Sequence, residues 1–191
     1  MNVTLRRPKM TREQFLDWAE RQEAPYEFDG FEPVPVNGST VDHDQICQNI
    51  YFGLRTRLRG TACRVLGPTA GLATVGDSLR FPDAMVVCGN LSGSERVVPG
   101  VVIVFEVVSP TSATSDHHRK LREYAAVASV LRYVVLESAS PDVTVFSRAS
   151  ADEGWTATPL LPGETIELPE IGIELPVAEL FEDVRFGDQP G

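Results

Sequence analysis

The segment VVIVFEVV at residues 101–108 is the most strongly strand-like part of the chain. Its β-branched residues are typical of a strand that is buried on both faces, yet Glu106 interrupts it. A second apolar segment, AMVVC at residues 84–88, begins directly after Asp83. A carboxylate inside or beside such a strand is costly to bury unless it is paired or holds a cation. Asp83 and Glu106 are therefore the first candidates for a functional site.

The two carboxylates predict a divalent-metal site. On neighbouring strands they can supply hard oxygen ligands to one Mg²⁺ or Mn²⁺ and leave coordination positions for water and a phosphate. A lysine is then needed to orient or deprotonate the attacking water and to offset developing negative charge. Val108 stands two residues past the glutamate, where that lysine is usually expected, and Lys120 is the only lysine after Lys9. We expect Lys120 to reach over the sheet towards Glu106 from the helix that follows.

Hydrophobic periodicity predicts an α/β fold with a mixed central sheet, helices on its faces and a β-rich C-terminal extension. Thr11 and Gln14 predict a capping box for the first helix, Asp42 or Asp44 is expected to cap the second, and Ser115 the third. The predicted helices cover residues 11–23, 42–59, 115–129 and 177–181. The predicted strands cover residues 62–66, 72–75, 78–80, 82–88, 101–108, 133–136 and 143–146, with a hairpin at 26–36. We expect one domain over residues 10–182, with short tails at 1–9 and 183–191.

The net charge of −10 argues against a general nucleic-acid binder, but the charge is unevenly distributed. Residues 1–124 contain 14 Lys and Arg against 15 Asp and Glu, whereas residues 125–191 contain 3 against 12. Between residues 45 and 76 there is no acidic residue, and four arginines fall there: Arg55, Arg57, Arg59 and Arg64. Arg55 and Arg59 are four residues apart and are expected to share a helix edge, so they are candidate nucleic-acid contacts.

Composition also sets expectations about the compartment. The chain has no run near the ~20 apolar residues of a membrane span and no apolar segment after its basic N-terminus, so we expect a cytoplasmic protein without a membrane partner. Three cysteines without a CxxC motif predict buried free thiols rather than a disulfide or a zinc site. The three histidines lack metal-ligand spacing, and His43 in particular stands alone, so no histidine metal site is expected.

A series of short motifs follows the chain in a characteristic order. They are MTREQFLDWAE at residues 10–20, Tyr26-Glu27 with Asp29-Gly30, Ser39 with His43, Pro82-Asp83, Glu106-Val107-Val108-Ser109-Pro110, Asp116-x-x-x-Lys120-x-x-x-Tyr124, RYVVLES at residues 132–138 and GETIELPEIGIELPVAELF at residues 163–181. Each motif is weak alone, but their order and spacing resemble the Uma-type putative restriction endonuclease family of the PD-(D/E)XK nuclease superfamily. The resemblance covers roughly residues 10–182.

The resemblance implies a restriction-endonuclease-like core that hydrolyses DNA phosphodiester bonds with Mg²⁺ or Mn²⁺. By residue, it implies that Asp83 and Glu106 bind the metal, that Lys120 is the displaced catalytic lysine, and that Glu27 is an accessory acid. DNA would be the partner, and a homodimer is favoured by symmetry because cleavage of a duplex needs two sites.

Simpler structural roles exist for the same side chains. Asp83 could be a turn residue, Glu106 the partner of a buried arginine, Lys120 a solvated lysine paired with a neighbouring aspartate, Glu27 an exposed hairpin acid and Tyr124 a core residue. For the whole protein, the alternatives are a catalytically inactive nuclease-like domain that acts as a binding module, and a nuclease that acts on RNA.

Overall fold

The computed structural model describes residues 9–36, 40–109 and 114–186. The side chains of residues 114–117 are not described. Several sequence predictions therefore lie outside the described part of the chain. They are most of the two predicted tails at 1–9 and 183–191, Ser39 before the second helix, Pro110 after the central strand, and the side chains of Ser115 and Asp116 at the start of the third helix.

The described residues form four helices and twelve strands. The helices are α1 (Arg12–Ala19), α2 (Val41–Arg57), α3 (Thr114–Ala125) and α4 (Val177–Leu180). The strands are β1 (Tyr26–Phe28), β2 (Pro33–Pro35), β3 (Cys63–Leu66), β4 (Leu72–Ala73), β5 (Leu79–Arg80), β6 (Ala84–Cys88), β7 (Val101–Val108), β8 (Arg132–Glu137), β9 (Val143–Ser147), β10 (Thr156–Leu160), β11 (Thr165–Leu168) and β12 (Ile173–Pro176).

The central sheet has six strands in the order β10-β9-β8-β7-β6-β3. Strands β7 and β8 pair in parallel, and the other neighbouring pairs are antiparallel. A parallel pair needs a crossover connection, which here contains α3. The predicted mixed sheet with flanking helices is confirmed, and β7 has the predicted bounds.

Strand β7 separates two layers of the core. Ile103, Phe105 and Val107 pack in the cluster that contains the buried face of α2. Val104 and Val108 point the other way and pack with Tyr124 of α3. Because side chains alternate along a strand, Glu106 shares the α3 side of the sheet. The burial of both faces explains the apolar composition of this strand.

A smaller four-stranded sheet, in the order β2-β1-β5-β4, lies beside the central one. Phe15 of α1, Phe28 of β1 and Leu79 of β5 form its fully buried centre. This packing fixes β1 and β5, which carry Glu27 and Arg80. In the C-terminal part, β11 and β12 form an antiparallel hairpin, followed by α4 as expected.

The helix ends confirm one predicted cap and correct another. The capping box of Thr11 and Gln14 is present at α1. At α2 the N-cap is Thr40, whose Oγ1 accepts a hydrogen bond from the backbone N–H of His43, and not Asp42 or Asp44. These two aspartates lie in the first turn instead, where their negative charges interact favourably with the positive end of the helix dipole.

The expectation of three free cysteines is wrong. Cys63 and Cys88 form a disulfide across 25 residues of sequence, and Cys47 is free and buried. Strands β3 and β6 place Cys63 and Cys88 directly opposite each other, a proximity that the spacing in the sequence does not reveal. Within the described residues, no helix has both the length and the apolar composition needed to cross a bilayer.

Candidate active site

Asp83 lies at the end of the central sheet, one residue before β6. The Ala84–Phe105 pairing of β6 and β7 makes Asp83 a neighbour of Glu106 on the adjacent strand. The backbone N–H of Val107 donates a hydrogen bond of 2.7 Å to Asp83 Oδ2, which fixes the carboxylate at the β7 edge. The other oxygen, Oδ1, is left facing α2.

Glu106 is buried, and each of its carboxylate oxygens has a donor. The Lys120 ammonium donates to Oε2 at 2.8 Å, and the Tyr124 hydroxyl donates to Oε1 at 2.6 Å. Burial raises the pKa of Glu106 to about 7; Lys120 opposes this shift, while the negative charges of Asp83 and Glu27 reinforce it. Ionising Glu106 therefore costs free energy, and an additional cation nearby would offset that cost.

Lys120 occupies the position that the sequence predicted for it. It lies on α3, and its Nζ reaches Glu106 at 2.8 Å and lies 4.0 Å from Glu27 Oε1. Its side chain is only 16% exposed, which contradicts a purely solvated lysine. Tyr124 lies one turn further along the helix and is fully buried, so it serves both the core and the carboxylate.

Arg80 links the second sheet to the site and was missed in the sequence. Its side chain is fully buried, and its Nη1 donates to Glu27 Oε2 at 2.8 Å while its Nη2 donates to Glu123 Oε1 at 2.7 Å. Burial opposes the charge of Arg80, but the hydrogen bonds that Arg80 donates to Glu123, together with the charges of Glu27 and Glu123, raise its pKa overall. Glu27 is therefore a buried, paired carboxylate beside Lys120 and not an exposed hairpin acid.

The expectation that His43 stands alone is also wrong. His43, Cys47 and Tyr51 recur every four residues on α2 and form one helix edge beside Asp83. His43 Nε2 lies 3.5 Å from Asp83 Oδ1, and the Tyr51 hydroxyl donates to the backbone carbonyl of Asp83. The hydrogen bond to Asp83 is the largest cause that raises the pKa of His43, and burial opposes it. The four-residue repeat was visible in the sequence, but its position beside Asp83 was not.

The site has donors that suit a divalent metal ion. Asp83 and Glu106 supply hard carboxylate oxygens from adjacent strands, and each carboxylate has further lone pairs beside those already used by its protein donors. Mutual repulsion of the nearby carboxylates is the expected signature of a site that a cation completes. The residues therefore fit a Mg²⁺ or Mn²⁺ ion.

The predicted basic residues lie at the C-terminal end of α2 and in the segment that follows it. Arg55 and Arg59 are exposed and line one surface depression together with Arg64 of β3. Arg59 lies beyond the last residue of α2, so the expectation that Arg55 and Arg59 share a helix edge is wrong; the two arginines only line the same depression. Arg57 points away and forms an ion pair with Glu179 of α4.

A solved structure has the same architecture. It is described as a putative nuclease belonging to DUF820 from Anabaena variabilis, and it superposes with a TM-score of 0.71 over 90% of this chain and 97% of that one. The sequence identity is 14%, so the likeness concerns the fold. This likeness shows that the chain has a nuclease-like α/β fold, and it confirms the predicted fold class.

Sequence comparison defines the family. Residues 12–178 match Uma2, described as "Putative restriction endonuclease". Two Synechocystis proteins, the uncharacterized proteins slr1290 and sll1609, are 23% and 22% identical over 181 and 163 residues. The alignments cover 94% and 83% of this chain and 95% and 91% of those proteins. The chain belongs to the Uma2 family, which supports assignment as a nuclease and confirms the resemblance seen in its motifs.

Replacing Arg80 with Met should lower the free energy of unfolding by about 3–5 kcal/mol, because Glu27 and Glu123 would remain buried without their cation. Chemical denaturation measures this change, and Arg80→Met/Glu123→Gln should recover part of the loss. Arg96→Met is the matched control: this exposed arginine pairs with surface carboxylates, so its loss should be at most about 1 kcal/mol. An equal effect of the two single changes would contradict the structural role of Arg80.

Proposed function

We propose that this protein hydrolyses DNA phosphodiester bonds in a reaction that requires Mg²⁺ or Mn²⁺. The observation that carries the proposal is the convergence of Asp83, the buried Glu106 and Lys120 at one end of the central sheet. Lys120 Nζ lies 2.8 Å from Glu106 Oε2, and Asp83 is hydrogen-bonded to the backbone N–H of Val107, the residue after Glu106, so oxygen ligands and a cationic donor come from adjacent positions of the fold. Family membership supports a nuclease of this kind.

The side chains have distinct roles in this proposal. Asp83 and Glu106 would hold the metal ion, which when bound supplies Lewis-acid activation of the phosphate and of water. Lys120 orients the attacking water, and either accepts its proton or offsets the negative charge of the transition state. Glu27 is the accessory acid: it lies on the far side of Lys120 and, anchored by Arg80, positions the ammonium.

DNA is the proposed partner. Arg55 and Arg59 would contact its phosphates from a surface without acidic sequence neighbours, while the acidic C-terminal third remains in solvent. Cutting both strands of a duplex requires two active sites, so we propose that the protein acts as a homodimer.

Wild-type protein should cleave duplex DNA only with Mg²⁺ or Mn²⁺, and Asp83→Asn or Glu106→Gln should abolish cleavage. In the same proteins, the ion should raise the melting temperature of the wild type, because a ligand that binds the folded state stabilises it by about 2.7 kcal/mol at 100 times its Kd. Both amide variants should lose this rise in melting temperature. They should remain folded, since asparagine and glutamine keep the shape of the side chains that they replace.

Asp152→Asn is the control, because Asp152 is exposed and far along the chain from the site. Parallel digestion of duplex DNA, single-stranded DNA and RNA identifies the substrate. Cleavage of RNA alone would show that RNA, and not DNA, is the substrate. A normal metal response in both amide variants would contradict the metal site, and a metal response without cleavage would favour a binding module.

Lys120→Ala should lower single-turnover cleavage by roughly 10²–10⁴-fold, the usual contribution of general acid–base catalysis. The affinity for Mn²⁺ should remain close to that of the wild type, because an ammonium is not a metal ligand. Lys120→Arg should restore little of the rate if Lys120 accepts a proton and much of it if only its charge matters. Arg122→Ala, an exposed position on the same helix, should be neutral. Wild-type cleavage by Lys120→Ala would contradict its catalytic role.

Neutralising Arg55 and Arg59 together by Gln should flatten the dependence of DNA affinity on salt. Two lost phosphate contacts should reduce the slope of log K against log salt by about 2. Arg21→Gln/Arg185→Gln removes the same charge at two other exposed sites and should leave the slope unchanged. The measurement is fluorescence anisotropy with a labelled duplex over a salt series. Equal slopes in both double variants would place the DNA elsewhere.

A further inference from the structure

A nitrogen and a sulfur donor lie beside Asp83, outside the carboxylate and lysine arrangement described above. A ring nitrogen of His43, Cys47 Sγ and a carboxylate oxygen of Asp83 lie within 4.8 Å of one another. His43 and Asp83 side chains are 21% and 18% exposed, so an ion could still enter from solvent, whereas Cys47 is buried. An imidazole and a carboxylate at such a separation can share one ion.

Local structure holds both groups in this arrangement. Asp83 Oδ2 is tied to the backbone N–H of Val107, which directs Oδ1 towards His43. The Thr40 cap bonds to the backbone N–H of His43 and fixes the first turn of α2. Cys47 lies one turn further, with its Sγ 3.6 Å from His43 Nδ1. The Nδ1 side of the imidazole thus contacts the Cys47 sulfur, while Nε2 faces the Asp83 carboxylate.

We propose that His43 is a further ligand of the Asp83 ion and makes this site prefer Mn²⁺ over Mg²⁺. Carboxylates alone suit Mg²⁺ and Mn²⁺ alike, whereas an imidazole nitrogen favours first-row transition ions. When Nε2 binds the ion, Nδ1 carries the proton and faces the Cys47 sulfur, which is a weak acceptor. A ligating histidine commonly has its second nitrogen engaged in this way, which fixes the ring and its tautomer. Cys47 therefore acts as a positioning residue and not as a ligand.

This inference rests on the proposed metal dependence but adds a ligand and an ion preference to it. Its competitor is a simple ion pair, in which His43 only balances the charge of Asp83. The two differ in a spectroscopic property, because a ligating imidazole places a nitrogen nucleus next to the bound ion. If His43 only forms an ion pair that the metal displaces, no nitrogen nucleus lies next to the bound ion.

Pulsed electron paramagnetic resonance of the tag-free protein with Mn²⁺ tests the proposal without requiring catalysis. The wild type should show hyperfine coupling from a directly bound nitrogen, and His43→Asn or His43→Gln should lose it. The control is His118→Asn, since His118 is exposed on α3 and should not affect the signal. Calorimetric titration of the same proteins should show Mn²⁺ affinity falling by about tenfold or more in the His43 variants, with a much smaller change for Mg²⁺.

The outcomes separate this inference from the proposed function. Bound Mn²⁺ without nitrogen coupling in the wild type would overturn the role of His43, while leaving a carboxylate metal site intact. Nitrogen coupling that persists in both His43 variants would overturn it as well. A wild type that binds neither ion would overturn the metal dependence itself. The wild-type spectrum is decisive even if a His43 variant does not fold.

Discussion

The carboxylate of Glu106 lies in a strand whose other side chains are apolar, and its burial determines what must surround it. A buried carboxylate is tolerated only with donors or a cation nearby, and α3 supplies both Lys120 and Tyr124 from one helix edge. Burial and the neighbouring carboxylates still raise the pKa of Glu106 to about 7, so the protein's own donors compensate only partly. The burial of Glu106 in the core thus makes an additional positive charge beside its carboxylate favourable.

The remaining elements bring groups to that position from different directions. Strand β6 begins beside Asp83, whose carboxylate is tied to the β7 backbone and whose backbone carbonyl is held by Tyr51 of α2. The smaller sheet contributes Glu27 and Arg80, and Arg80 also binds Glu123 of α3. A fully buried arginine between two carboxylates has little freedom to move, so the relative position of the sheet and helix is fixed. Glu27, which lies 4.0 Å from the Lys120 ammonium, is therefore held in place by a rigid neighbour.

Features of the fold that depend on local pattern are predictable from the sequence. Strand β7 was predicted from its β-branched run, and the contact of Lys120 with Glu106 followed from the position of Lys120 on the crossover helix. Features that depend on pairing between distant segments are not predictable in this way. In the sequence Arg80 is an ordinary arginine at the end of a strand, and the Cys63–Cys88 disulfide depends on the register of β3 and β6. His43 showed helical spacing with Cys47, but only the tertiary fold places that helix edge beside Asp83.

Asp83 and Glu106 are proposed to bind one divalent ion between them. Anomalous diffraction from crystals grown with Mn²⁺ measures this directly, because the ion gives a peak whose position needs no assumption about activity. We expect one strong peak in contact with carboxylate oxygens of both Asp83 and Glu106. Occupied Mn²⁺ sites elsewhere with none between these two side chains, or no peak at saturating Mn²⁺, would contradict it.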